Sequence, residues 1–128
     1  MAKRTLLKGR NILLVEDEMM VAMLLEAVLE NEGCNVISVG HLEQATLLAT
    51  ERAIDAAILD VNLHGCRSYA VADALAARAI PFVFATGYGD VDLMTLYPTR
   101  PVLAKPYKPD VLIATLTSLI ATGSGDRL

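Results

Sequence analysis

The sequence predicts an α/β domain: a five-stranded parallel sheet, doubly wound, with helices on both faces. Short apolar runs alternate along the chain with longer stretches of helical spacing, and strict alternation of this kind implies βαβ units. Most of the runs are apolar throughout rather than at every second residue, as expected of strands covered on both faces. The length of 128 residues corresponds to a single domain.

The elements follow in order. Residues 11–15, Asn-Ile-Leu-Leu-Val, form the first strand, and residues 18–32 a helix stopped by Gly33. Residues 35–39 form the second strand. Residues 41–52 form the second helix, with Leu42, Ala45, Leu48 and Ala49 at helical spacing. The third strand spans 56–59 and ends at Asp60; an Ala-rich helix spans 68–78. The fourth strand, 81–85, has Pro81 at its first position, where a missing N–H costs least. Gly87-Tyr88-Gly89 then breaks the chain, and residues 90–97 form at best a short helix. The fifth strand is 101–104. The last helix is 110–121, with Asp110 near its start, where a carboxylate suits the helix dipole. Right-handed crossovers and five units fit the flavodoxin-like strand order 2-1-3-4-5.

Composition narrows the function classes. With 54% hydrophobic and 20% charged residues, the chain is not intrinsically disordered. Aromatics are 5% and Trp is absent, so the core must be aliphatic. A net charge of -4 argues against a general nucleic-acid surface. No apolar run approaches the ~20 residues that span a bilayer. Cys34 and Cys66 are too few for a disulfide framework and are not arranged as CxxC, so both read as small apolar residues in a reducing compartment. Lys3, Arg4, Lys8 and Arg10 precede no adequate apolar signal segment. The expectation is a cytoplasmic, single-domain protein with a core at about 10–121, a slightly basic and poorly ordered start, a short tail and no output domain.

In an open α/β sheet, ligands bind beyond the carboxyl ends of the strands. Here those ends carry Glu16-Asp17-Glu18, Asp60, Thr86 and Lys105. The predicted order makes strands one, three, four and five neighbours, so carboxylates, a hydroxyl and an ammonium converge on one edge. Glu16, Asp17 and Asp60 repel one another unless a cation joins them. Hard carboxylate oxygens with open water positions suit Mg²⁺, or the similar Mn²⁺, which also binds phosphate. A carboxylate can be phosphorylated as a nucleophile. The metal and Lys105 would offset the charge of a transferring phosphoryl group, and Thr86 would hydrogen-bond one of its oxygens. Glu18 reads as a helix-starting acid. His41 and His64 read as loop residues, since neither has metal-ligand spacing to another His or Cys.

Four segments, Ile12-Leu-Leu-Val-Glu-Asp-Glu18, Leu59-Asp-Val-Asn-Leu-His-Gly65, Ala85-Thr-Gly87 and Lys105-Pro106-Tyr107, stand in this order at the strand ends. Together they make the chain, over about residues 10–121, resemble the receiver domain of two-component response regulators. The stretches Phe82-Val-Phe-Ala-Thr-Gly-Tyr-Gly89 and Pro101-Val-Leu-Ala-Lys-Pro-Tyr107 look like the narrower FATGUY receivers, often single domains. The resemblance implies that Asp60 is the phosphoacceptor. It implies that Asp17 and Asp60 bind the metal by side chain, Asn62 by its backbone carbonyl and Glu16 through water. Lys105 would contact the phosphoryl group, Thr86 would be the switch hydroxyl, and the Lys105–Pro106 bond would be cis. The implied donor is a sensor histidine kinase or a histidine phosphotransfer protein, the downstream target is unknown, and neither nucleic acid nor membrane is a partner. The chain would be a switch that assists its own phosphorylation and dephosphorylation, not an enzyme acting on a separate substrate.

Three departures from the family pattern bear on readout. Val102 stands where many receivers have Tyr or Phe, His64 stands where many have Pro, and the segment after Gly87-Tyr88-Gly89 is short. Tyr88 fits a surface loop, a core filler or a lid over the site; without an aromatic ring at 102, ordering of residues 87–97 on phosphorylation, with Tyr88 moving against the site, is the expected switch. Residues 19–25, Met-Met-Val-Ala-Met-Leu-Leu, are apolar around the whole helix, although packing on a sheet needs one stripe. Some of Met19, Met20, Met23 and Leu24 should therefore stay exposed, with Met20 a docking candidate for the phosphotransfer partner. Two competing classes are an atypical receiver that mediates contacts without phosphorylation and a phosphatase with an aspartyl-phosphate intermediate. The complete set of Glu16, Asp17, Asp60, Thr86 and Lys105 argues against the first. The second usually has its nucleophile on the first strand and a cap domain. Nucleotide and flavin sites lack their glycine-rich signatures.

Overall fold

The structure is a computed structural model in which residues 6–87 and 100–122 are described. In chain order the elements are β1 (Asn11–Val15), α1 (Met19–Asn31), β2 (Asn35–Val39), α2 (Leu42–Glu51), β3 (Ala56–Asp60), β4 (Asn62–Leu63), β5 (Cys66–Arg67), α3 (Tyr69–Ala77), β6 (Phe82–Thr86), β7 (Val102–Ala104) and α4 (Pro109–Thr122). The parallel sheet runs β2-β1-β3-β6-β7. With the short β4–β5 hairpin set aside, this is the expected order 2-1-3-4-5. The hairpin is an addition to the sequence reading: strands of two residues each are too short to show a period.

Alternation within the apolar strands gives each face its own core. Leu13, Val15, Ala57, Leu59, Phe82 and Phe84 pack with Ala45 and Ala49 of α2 and with Val71, Ala72 and Leu75 of α3. Ile12, Leu14, Ala56, Ile58 and Val83 pack on the other face with α1 and α4. Those helices bury Ala22, Leu25 and Leu29, and Leu112, Leu116 and Leu119, at three- and four-residue spacing. Strands β3 and β6 are buried along their whole length, whereas the edge strand β2 is mostly partly or fully exposed.

The described residues just before β1 are tied to the fold. Leu7 is fully buried, so the packed core begins before residue 10. The Gly9 N–H donates to the Gly33 carbonyl at 2.8 Å, and the Arg10 Nε to the Leu6 carbonyl at 2.9 Å. Gly33 has φ +89°, and a Cβ there would sit 3.0 Å from Lys8 Cγ, so the turn after α1 requires glycine for both reasons. Cys34 is buried, and burial with nearby Glu32 pushes its thiol up to about 11, as suits an inert core residue. Cys66 is exposed on β5. Among the described residues, no helix is long and apolar enough to cross a membrane.

Phe84 is fully buried, with its ring edge-to-face against Phe82 at 5.3 Å and against Tyr69 at 6.3 Å. Phe84→Ala should lower unfolding free energy by about 3–5 kcal/mol in urea titration. A loss below about 1 kcal/mol would contradict this packing.

Candidate functional site

Sheet register brings the polar residues together. Val15 of β1 pairs with Leu59 of β3, so Glu16 and Asp60 follow on adjacent strands. Asp60 pairs with Ala85, and Thr86 pairs with Ala104. The Lys105 N–H donates to the Thr86 carbonyl at 2.8 Å, which continues the ladder and sets the lysine beside the threonine strand. Lys105–Pro106 is cis, as the resemblance implies.

At this edge Lys105 Nζ donates to Glu16 Oε1 at 2.9 Å and to Asp60 Oδ2 at 3.2 Å. The second oxygen of Glu16 accepts the Glu18 N–H at 3.1 Å, and Asp60 Oδ1 accepts the Asn62 N–H at 3.3 Å. Glu16 (5% exposed), Asp60 (7%) and Thr86 (9%) are buried polar residues. One carboxylate oxygen from each of Glu16, Asp17 and Asp60 lies within 4.8 Å of the others. This all-oxygen set fits a hard divalent cation. Both oxygens of Glu16, both of Asp60 and Oδ2 of Asp17 accept hydrogen bonds, so the bonding pattern does not rank the three carboxylates as ligands.

Burial, and then the charge of Glu16, push the Asp60 carboxyl up to about 6; Lys105 and the Asn62 amide act in the opposite sense without restoring the ordinary value of 3.8. Burial works against the charge on Lys105, but its bonds to Glu16 and Asp60 prevail and hold its pKa above 10.5. Among the described residues, Lys105 is the cation paired with this anionic cluster. Tyr107 borders it. Burial pushes its phenol up to about 12, and its hydroxyl has no hydrogen-bond partner among the described residues.

Glu16, Asp17, Asp60, Thr86 and Lys105 all lie at this edge, as expected. Asn62 adjoins it through its main chain, its side chain being exposed. Tyr88 and the segment 90–97 lie outside the described residues, so the expected loop switch falls there too. Val102 is 41% exposed. On α1, Met19, Met20, Met23 and Leu24 are all exposed, Met20 most at 84%. Sequence reading missed the part played by His64: its N–H donates to Asp17 Oδ2 at 2.9 Å, and its ring stacks on His41 at 5.1 Å. Gly65 directly after it was the available sign of a tight turn close to the site.

With this geometry in place, residues 12–117 match the response regulator receiver domain family, and the chain belongs to that family. It is thus a receiver domain of the kind used in two-component systems. The chain is 45% identical to SdrG of Sphingomonas melonis, covering 88% of this chain and 97% of that one, with a TM-score of 0.76. It is 29% identical to the receiver domain of the sensor histidine kinase PA1611 of Pseudomonas aeruginosa, covering 88% and 98%, with a TM-score of 0.78. That structure has a magnesium ion coordinated in its active-site cleft. The phyllosphere-induced regulator PhyR of Methylorubrum extorquens is 35% identical over 85% of this chain and 43% of its own. The chain spans about half the length of the curated relatives it matches, 52% of one and 43% of the other.

A raised carboxyl pKa means that the fold prefers Asp60 protonated. The resulting stability is present below pH 3.8 and is lost as pH rises through about 6. Without metal, Asp60→Asn should therefore be more stable than wild type at pH 7.5, by of order 1–2 kcal/mol. The difference should shrink towards pH 4. Thermal unfolding of both proteins across this range checks it; a constant difference would contradict the charge account.

Proposed function

We propose that the chain is a stand-alone receiver in a His–Asp phosphorelay and that Asp60 accepts the phosphoryl group from a phosphohistidine donor. The observation that carries this reading is the placement of the buried Asp60 carboxylate beside Lys105 Nζ at 3.2 Å and within 4.8 Å of the Glu16 and Asp17 oxygens. In the transfer, an Asp60 oxygen forms the new O–P bond as the P–N bond of the donor breaks, and the imidazole leaves carrying a proton. Asp17 and Asp60 would hold Mg²⁺ or Mn²⁺ by side chain, with the Asn62 carbonyl and a water on Glu16 completing the protein's share. Such an ion, when bound, supplies charge neutralisation at the phosphoryl oxygens.

Lys105 is held by Glu16, so its ammonium stays at the site when Asp60 is modified. Thr86, at the end of β6, would donate its hydroxyl to a phosphoryl oxygen. The same groups would serve hydrolysis of the aspartyl phosphate, so the chain would reset itself rather than turn over a separate substrate. The likeness to SdrG, of which this chain covers 97%, supports a receiver acting without an attached output domain. Exposed Met19, Met20, Met23 and Leu24 beside the acidic edge supply an adaptable apolar surface for the helix pair of a kinase or phosphotransfer partner. The free, exposed Cys66 thiol suits a reducing cytoplasm.

Acetyl phosphate with Mg²⁺ should add one phosphoryl group, mapped to Asp60 by mass spectrometry, and Asp60→Asn should abolish it. Asparagine keeps the shape but loses the anionic oxygen. Unchanged labelling of that variant would remove the assignment, and no labelling of the wild type would favour a receiver that works without phosphorylation. Met20→Glu should slow transfer from a phosphohistidine donor at least about tenfold, a loss of about 1.4 kcal/mol of transition-state contact. Labelling by acetyl phosphate should hardly change. An equal fall in both rates would place the defect in the site or the fold rather than in docking.

A further inference from the structure

The β4–β5 hairpin turns on two residues, His64 and Gly65, between the paired Leu63 and Cys66. Both turn residues have positive φ, 50° and 86°. Two positive φ values in a two-residue loop are the signature of a type I′ turn. In such a turn the hairpin bonds do not use the amide of the first loop residue, which therefore points outward. Here that amide has a partner from a distant part of the chain: the His64 N–H donates to Asp17 Oδ2 at 2.9 Å. The His64 ring lies beside this bond without making a hydrogen bond of its own to Asp17. Its Nδ1 lies 3.8 Å from the same oxygen, and its face stacks on His41, the residue before α2, at 5.1 Å and 20° between planes.

The geometry points to His64 as a positioning residue: its main-chain amide fixes the Asp17 carboxylate, so that this ligand is already oriented before a divalent cation arrives. The inference rests on Asp17 as a metal ligand and adds what holds it there. Partners that orient a metal ligand commonly contribute about 10–100-fold in metal affinity. Proline at position 64 would be incompatible on two counts, because its φ is fixed near −65° and it has no N–H to donate. Glycine would keep both the turn and the amide while deleting the ring.

Mg²⁺ affinity measured by calorimetry separates these contributions. The proteins are wild type, His64→Gly, His64→Pro, Asp17→Asn, and a semisynthetic protein in which the residue 64 N–H is replaced by an ester oxygen. The ester form and His64→Pro should bind Mg²⁺ at least about tenfold more weakly, while His64→Gly stays within about threefold of wild type. In the metal-free protein, hydrogen exchange at the residue 64 amide should be slow in wild type and fast in Asp17→Ala. If His64→Pro does not fold, the ester form decides, since it replaces the donor N–H by oxygen and keeps the side chain. Wild-type affinity in the ester form, with Asp17→Asn weakened, would overturn the positioning role and leave the metal site standing. An equal loss in His64→Gly would assign the effect to the ring and overturn the amide's role. Unchanged affinity in Asp17→Asn would bring down the metal-ligand reading itself.

Discussion

The structure depends on holding three carboxylates together where they repel one another. Glu16, Asp17 and Asp60 sit within 4.8 Å at the carboxyl edge of the sheet, and two of them are buried. Left alone, the arrangement would splay apart or protonate. Lys105 prevents the first by bridging Glu16 and Asp60, while burial first and the charge of Glu16 second still push the Asp60 carboxyl up. The strands beneath the cluster are buried. β1 and β3 are adjacent parallel strands whose apolar residues are buried on both faces, so the ends that carry the carboxylates cannot easily move. A site that must tolerate repulsion needs such a base.

The same base explains what stays exposed. Helix α1 buries Ala22, Leu25 and Leu29 against the sheet and turns its methionines outward. Because α1 follows directly from the acidic loop, its apolar outer surface lies beside the charged edge, and a partner touching the one comes within reach of the other. The hairpin tip approaches from the opposite side, where His64 links Asp17 to the residue before α2. Elements from three parts of the chain thereby meet around Asp17.

Much of this was legible in the sequence, for identifiable reasons. Apolar runs such as Ile12–Val15 and Phe82–Ala85 have a single plausible use in an α/β domain, so strand identity and order followed. Glu16, Asp17, Asp60, Thr86 and Lys105 each stand at a strand end, and strand ends are where an open sheet binds. Burial of Leu7 was hidden because it lies in a charged segment with no period of its own. The β4–β5 hairpin was hidden because strands of two residues carry no pattern. The His64 contact was less visible still: it is made by a backbone amide, which every non-proline residue possesses, and only the left-handed turn aims it at Asp17.

At the centre of the site stands the buried Asp60 carboxylate, whose charge a cation would relieve. Carboxyl ¹³C shifts of Asp60 followed by NMR across pH, with and without saturating Mg²⁺, test this directly. The metal-free protein should titrate at about 6, well above the ordinary 3.8. Mg²⁺ should move the midpoint down, since the metal favours the ionised form. A midpoint near 3.8 that ignores Mg²⁺ would contradict both the frustration and its relief.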